Sequence, residues 1–248
     1  MHQTIEPAIL YAGTPVILIS TLNEDGSVNL SPMSSAWWLG WSCMLGLDAT
    51  SKTTTNLRRT RECVLNLASV DLVDAVDKLA LLTGSDPLPL HKKSLGYSHV
   101  RDKFGAAGLT MQQSEMVAPP RVKECKIQME ARVSTMTIFA ANDRRMAIPA
   151  RAIEVTIERV HVDPALQTDG HHNRIDPDKW NPLIMSFRKF YGIGDNVHPS
   201  QLARGPEEAY APWKVRGLKG IASRAVLGIS NSKHRRPESP ELEPAREE

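Results

Sequence analysis

From Lys126 to Val133 the chain alternates strictly. Ile127, Met129, Ala131 and Val133 are apolar, and Lys126, Gln128, Glu130 and Arg132 between them are not. Successive side chains point to opposite faces only in a strand, so this period of two demands a half-buried β-strand. Ile153, Val155 and Ile157 repeat the pattern against Glu154, Thr156 and Glu158. Residues 14–22 are β-branched and apolar and run into the turn formers Asn23-Glu24-Asp25-Gly26, which predicts a hairpin returning over 27–31. Residues 36–47 and 63–67 read as further strands. The consequence is a mainly β fold.

Helices are predicted over 53–60, where residues 48–51 supply capping side chains, over 71–82, and briefly near 101–104. Pro32 has no amide to donate, so regular pairing is expected to stop there and leave Met33, Ser34 and Ser35 on irregular backbone. Residues 83–97, rich in Pro, Gly and Lys, read as a long exposed connection of the kind that forms lids or binding segments. Residues 180–194 bring back large apolar and aromatic groups and are expected to dock on the core. One domain is expected over 1–195, an extension over 196–218 and a flexible tail over 219–248, where Ser, Pro, Arg and Glu leave little apolar surface to bury.

Composition removes several classes of function. Apolar residues make up 41% and charged residues 23%, and no apolar run is long enough to span a bilayer, so a membrane protein is not expected. A net charge of +2, with basic residues scattered among acidic ones, argues against nucleic acid. Cys43, Cys63 and Cys125 are odd in number and far apart, and the N-terminus lacks the pattern of a secretory leader; both point to reduced thiols in the cytoplasm. His161, His171 and His172 have no spacing that suits a metal, and no metal site is expected.

The chemistry concentrates between Asn29 and Asn56. Ser51, Lys52, Thr53 and Asn56 stand at a turn that opens a helix, where unpaired amides, hydroxyls and a cation suit a phosphate. Ser34, Ser35 and Trp37 precede them and offer an apolar wall with donors for a ring. By themselves the first group also fits a plain helix cap with a solvated lysine, and Trp37, Trp38 and Trp41 also fit a core.

Several motifs in order settle that choice by resemblance. GTPVILISTLNEDGSVNLSPMSSAWW, SKTTTNLRRTRECVLNL, HVRDKFGAAGLT and APPRVKECKIQMEARV resemble the flavin reductase-like, FMN-binding split-barrel family, which includes the flavoredoxins. The resemblance implies a six-stranded antiparallel Greek-key split β-barrel with flanking helices, forming a homodimer that holds FMN near the subunit interface. It implies that Asn29, Ser31, Pro32, Met33, Ser34 and Ser35 line the flavin and that Trp37 flanks it. Asp48, Ala49, Thr50, Ser51, Lys52 and Thr53, with Asn56, would hold the ribityl chain and phosphate, and Lys103 would reach the cofactor. Phe187, Phe190 or Tyr191 would complete the ring pocket, from either subunit. One departure stands out. Many members carry a Gly-Asp-His segment whose histidine lies by the flavin, and the corresponding stretch here, 139–150, has no histidine.

The implied activity is FMN-dependent oxidoreduction, with NADH or NADPH as donor and free flavin or a partner protein as acceptor. The flavin carries such chemistry, and no side chain need serve as a catalytic acid or base. An FMN-binding electron carrier without a nicotinamide site is the alternative from another class. A barrel that has lost its cofactor and serves as an interaction module is a third.

Overall fold

The computed structural model describes residues 2–146 and 148–201. The expected tail, and the expected extension beyond residue 201, lie outside the described residues. A compact unit ends at Asn196.

In chain order, β1 (Ala12–Pro15), β2 (Ile17–Leu22) and β3 (Val28–Met33) lead into β4 (Ala36–Leu39) and β5 (Ser42–Asp48). Then come α1 (Lys52–Thr60), β6 (Glu62–Leu67), α2 (Val73–Leu79), β7 (Leu82–Thr83), α3 (Leu90–Ser94), β8 (Ser98–His99) and α4 (Lys103–Ala107). After β9 (Met111–Gln112) and β10 (Arg121–Val122) follow the long strands β11 (Ile127–Phe139) and β12 (Ala150–Val162). The last four are β13 (Gln167–Thr168), β14 (His171–Ile175), β15 (Ile184–Ser186) and β16 (Lys189–Tyr191).

Seven strands form one antiparallel sheet in the order β3-β2-β6-β11-β12-β5-β4. The first and last strands of that order are consecutive in the chain, joined only by Ser34 and Ser35. Three residue steps span at most about 11 Å, so the sheet must curl until its two ends meet. Counting β3 and β4 as one bent strand gives the six strands of the expected barrel.

The barrel interior is filled by Ile17, Ile19, Leu45, Leu57, Leu65, Ile153 and Val155. A second core lies on the outside, where Leu18 and Leu30 meet Val76 and Leu79 of α2, Phe104 of α4, and Leu183. Strand β2 thus buries both faces, which is why Ile17, Leu18 and Ile19 follow one another without alternation, and why even Ser20 and Thr21 are buried. Each such aliphatic side chain contributes about 1.5–3 kcal/mol of burial. The 180–194 segment docks through Leu183 and through a three-stranded sheet of β1, β15 and β16.

Four readings of the sequence need correction. Pairing continues through Pro32, which lies opposite Leu18, because β3 is an edge strand and an edge tolerates a residue without an amide proton. The segment 36–47 is two strands, with Gly40 and Trp41 in the turn between them and Gly40 at φ 60°. The 71–82 helix is shorter, α2 being preceded by a 3-10 turn at Val70–Leu72. The 83–97 connection is not simply exposed: β7 and β8 pair at its ends, and it carries α3, with Lys92 buried.

Candidate functional site

Strand β3, the β5–α1 turn, α2, β7 and the 84–97 segment surround a cavity of about 200 Å³, to which α4 adds Lys103. Asn29, Ser31, Pro32 and Met33 form one wall, and Asp48, Ser51, Lys52 and Thr53 another. Leu79, Ala80, Leu82 and Tyr97 add apolar surface. Lys52, Lys92 and Lys103 face the cavity, against a single lining carboxylate, Asp48.

Lys103 opens α4, whose N-cap Asp102 accepts from the Gly105 amide and whose end is set by Gly108 at φ 71°. The helix carries the lysine inward, to 2% exposure. Its Nζ donates to Asn29 Oδ1 at 3.1 Å, and it has no carboxylate partner among the described residues. Asn29 is itself held, its Nδ2 donating to Thr53 Oγ1 at 3.0 Å. Burial, reinforced by the neighbouring Lys92 charge, draws the Lys103 ammonium down to about 7. Gly84 packs against the same amide, since a Cβ there would stand 2.5 Å from Asn29 Oδ1.

Asp48 belongs to the turn. Its Oδ1 accepts from the Thr50 amide and Thr50 Oγ1, each at 2.8 Å, and its Oδ2 lies 3.0 Å from His91 Nε2. Burial opposes ionisation of Asp48, but these bonds outweigh it and hold the carboxyl below the usual range. Lys52 Nζ donates to Glu24 Oε2 at 2.6 Å, and Ser51 caps α1 by accepting from the Thr54 amide.

Of the residues singled out in sequence, the cavity brings together Asn29, Ser31, Pro32, Met33, Asp48, Ser51, Lys52, Thr53 and Lys103. The others lie elsewhere. Asn56 is fully buried on α1, where its Nδ2 donates to Thr21 Oγ1 and Asn23 Oδ1, so it ties the helix to the β2–β3 hairpin and does not line the cavity. Ser35 Oγ donates to Gly46 O at 2.6 Å, and Ser34 shares the link between β3 and β4. Ala49 and Thr50 shape the turn, with the Ala49 amide donating to Pro149 O. Trp37 is 58% exposed on β4. Phe190 packs against the outer core.

The family model for the flavin reductase like domain matches residues 11–194. The chain belongs to that family. It is 39% identical over 195 residues to the uncharacterized protein YdfE of Bacillus subtilis (strain 168), covering 79% of this chain and 91% of that protein. Its fold is similar to flavoredoxin of Desulfovibrio vulgaris (Miyazaki F), with a TM-score of 0.66 at 20% identity over 83% of this chain and 100% of that one. It is also similar to nitrilotriacetate monooxygenase component B from Bacillus cereus, with a TM-score of 0.63 at 17% identity over 80% and 100% of the two chains. The split-barrel fold is that of flavin reductase-like proteins, and among the described residues no helix is long and apolar enough to cross a membrane.

Within this flavin reductase-like domain, sequence reasoning missed two arrangements. Lys92, Gly84 and Tyr97 sit in a polar connection, where nothing but the tertiary fold marks them as cavity residues. Glu130 reads as the solvent side of an alternating strand, yet it is fully buried and accepts from the amides of Glu115, Met116 and Val117 and from His161 Nε2 at 2.6 Å. This pair accounts for His161, and His171 and His172 are exposed on β14. Among the described residues no group of three or more His, Cys, Asp or Glu side chains is placed to hold a metal.

Proposed function

We propose that the protein binds FMN, with the phosphate in the lysine-lined cavity, and acts as an oxidoreductase between NADH or NADPH and a second electron acceptor. One observation carries the reading: Lys103 is a buried ammonium bonded to an amide oxygen, in a cavity where three lysines meet one carboxylate. A buried cation without a counter-ion is costly, and a phosphate supplies that charge together with strong acceptors.

The donor set fits such a group. Lys103, oriented by Asn29, supplies charge, and Ser31, Ser51 and Thr53 line the cavity with hydroxyls. At about 200 Å³ the cavity is smaller than the roughly 300–1,000 Å³ of pockets that enclose a whole ligand. It suits the phosphate end, leaving the ring to lie outside it, towards Pro32, Met33 and the backbone amides of the Ser34–Ser35 link. A bound flavin supplies the redox chemistry by accepting hydride and passing electrons on. The chain's part is to hold the phosphate, orient the ring and limit water, with no side chain as catalytic acid or base.

A homodimer goes with this reading. Trp37 and Leu39 on β4, and Ile138 and Phe139 at the end of β11, are all more than half exposed, an apolar surface that suits burial against a second copy. A second reading, an electron carrier reduced by another protein, is favoured by the absence of histidine from 139–150.

An absorption spectrum of protein incubated with FMN and desalted, recorded before and after anaerobic NADH or NADPH, tests both. Flavin bands that stay with the protein and then bleach support the oxidoreductase. Bands that stay unbleached with both nicotinamides leave the carrier, and no retained bands overturn both.

A further inference from the structure

The segment between β7 and β8 is a long polar connection in sequence, but it sends a buried lysine into the cavity. Lys92, on α3, is 8% exposed. Its ammonium lies 3.6 Å from Asp48 Oδ2, beyond hydrogen-bond reach, and no other carboxylate stands within ion-pair distance among the described residues. Asp48 does not rest on it alone: the Thr50 amide, His91 and Thr50 Oγ1 hold the carboxylate first, and the Lys92 charge adds less than each of them. Lys92 also lines the same cavity as Lys103, close enough for its charge to be felt there. Two ammonium groups are thus brought to one small cavity from segments on either side of β8, and mutual repulsion opposes the arrangement. An anion between them reverses that sign.

Resting on the FMN reading, we propose that Lys92 is a phosphate-binding residue of the site, that the 84–97 segment is therefore a working wall of it, and that Lys92 makes the site select the phosphorylated flavin over riboflavin. The segment is positioned for this from both ends. The Ser98 amide donates to Leu81 O, the Val100 amide to Thr83 O, and His91 Nε2 lies 3.0 Å from Asp48 Oδ2. A lysine serving only to neutralise Asp48 would affect the fold and every flavin alike. A phosphate-binding lysine distinguishes flavins by whether they carry the anion.

The test compares FMN and riboflavin binding to wild-type protein and to Lys92→Gln, Lys92→Arg and the exposed neighbour Lys93→Ala, by fluorescence titration in phosphate-free buffer, with thermal melts of each cofactor-free variant. Loss of one charge-assisted contact predicts FMN affinity roughly 10- to 100-fold weaker in Lys92→Gln, little change for riboflavin, recovery of much of the loss in Lys92→Arg, and no change in Lys93→Ala. FMN affinity unchanged in Lys92→Gln overturns the proposal while leaving the FMN reading intact. Equal losses for FMN and riboflavin, or a loss matched in Lys93→Ala, also overturn it. Wild-type protein that binds no flavin overturns the FMN reading and this proposal together.

Discussion

Lys103 Nζ and Asn29 Oδ1 meet at 3.1 Å across 74 positions of sequence, joining the first turn of α4 to β3. The bond is neutral on one side, so the lysine's charge stays uncompensated. A cofactor-free protein holding Lys103 near 7, below its ordinary value of 10.5, carries an unfavourable charge. That cost is full below pH 7 and shrinks as pH rises from 7 to 10.5, where the folded chain has released the proton and the unfolded chain has not. Lys103→Met is expected to stabilise the cofactor-free protein by on the order of a few kcal/mol at or below pH 7, with the gain fading towards pH 10.5, and to lose FMN binding. Denaturant melts at two pH values and an FMN titration check both.

The same group predicts proton uptake. Above pH 7 Lys103 is mostly neutral in the empty cavity, whereas a phosphate dianion beside it favours the charged form. FMN binding at pH 8 should therefore take up close to one proton, and FMN affinity should fall by up to about tenfold per pH unit above 7. Titration calorimetry in two buffers of different ionisation enthalpy reads the uptake. Heats that do not depend on buffer would mean that Lys103 does not face the phosphate.

Gly84→Ala tests the close approach of the 84–97 segment. The added methyl would stand 2.5 Å from Asn29 Oδ1 and 3.2 Å from Lys52 Cγ. Relieving that contact moves the amide that orients Lys103, at a strain of roughly 1–3 kcal/mol. FMN affinity should drop together with the melting temperature, and an unchanged affinity would show that the position of Asn29 is not critical.

Glu130 is a structural anion apart from the cavity. Burial opposes its ionisation, but the amides of Glu115 and Met116, together with His161, hold its carboxyl below the usual range. Such a group contributes stability above the unfolded value near 4.5, and that contribution is lost as pH falls through the lower folded value. Glu130→Gln should cost about 1–3 kcal/mol at pH 7 and flatten the acid limb of the stability curve, with FMN affinity unaltered. Urea melts at pH 7 and at steps downward from 4.5, the unfolded value below which the contribution is lost, measure it.

What the sequence discloses depends on whether a pattern is local. The β2–β3 hairpin, the Ser51 cap and the strands β11 and β12 are visible because turn chemistry, capping and period two are written in neighbouring residues. Period two assigns faces but does not say whether a face has a second cover. Gln128 and Glu130 read as solvent positions and are buried. Asn56 has the chemistry of a phosphate ligand, but its direction is set by Thr21 and Asn23 on a different strand and turn. Lys92 differs from the exposed Lys93 only in which way a five-residue helix faces, and that is decided by tertiary contacts.

The two-residue link between β3 and β4 also bears on how this protein meets others of its kind. Because the two ends of the sheet order are consecutive in the chain, the unpaired edges are only six and four residues long, and the longer one contains Pro32. Short, proline-blunted edges are poor templates for a strand from another molecule. On the homodimer proposed above, contact between copies would therefore rest on side-chain surfaces such as that of Trp37 and Leu39, which a single partner can saturate, and not on open-ended backbone pairing.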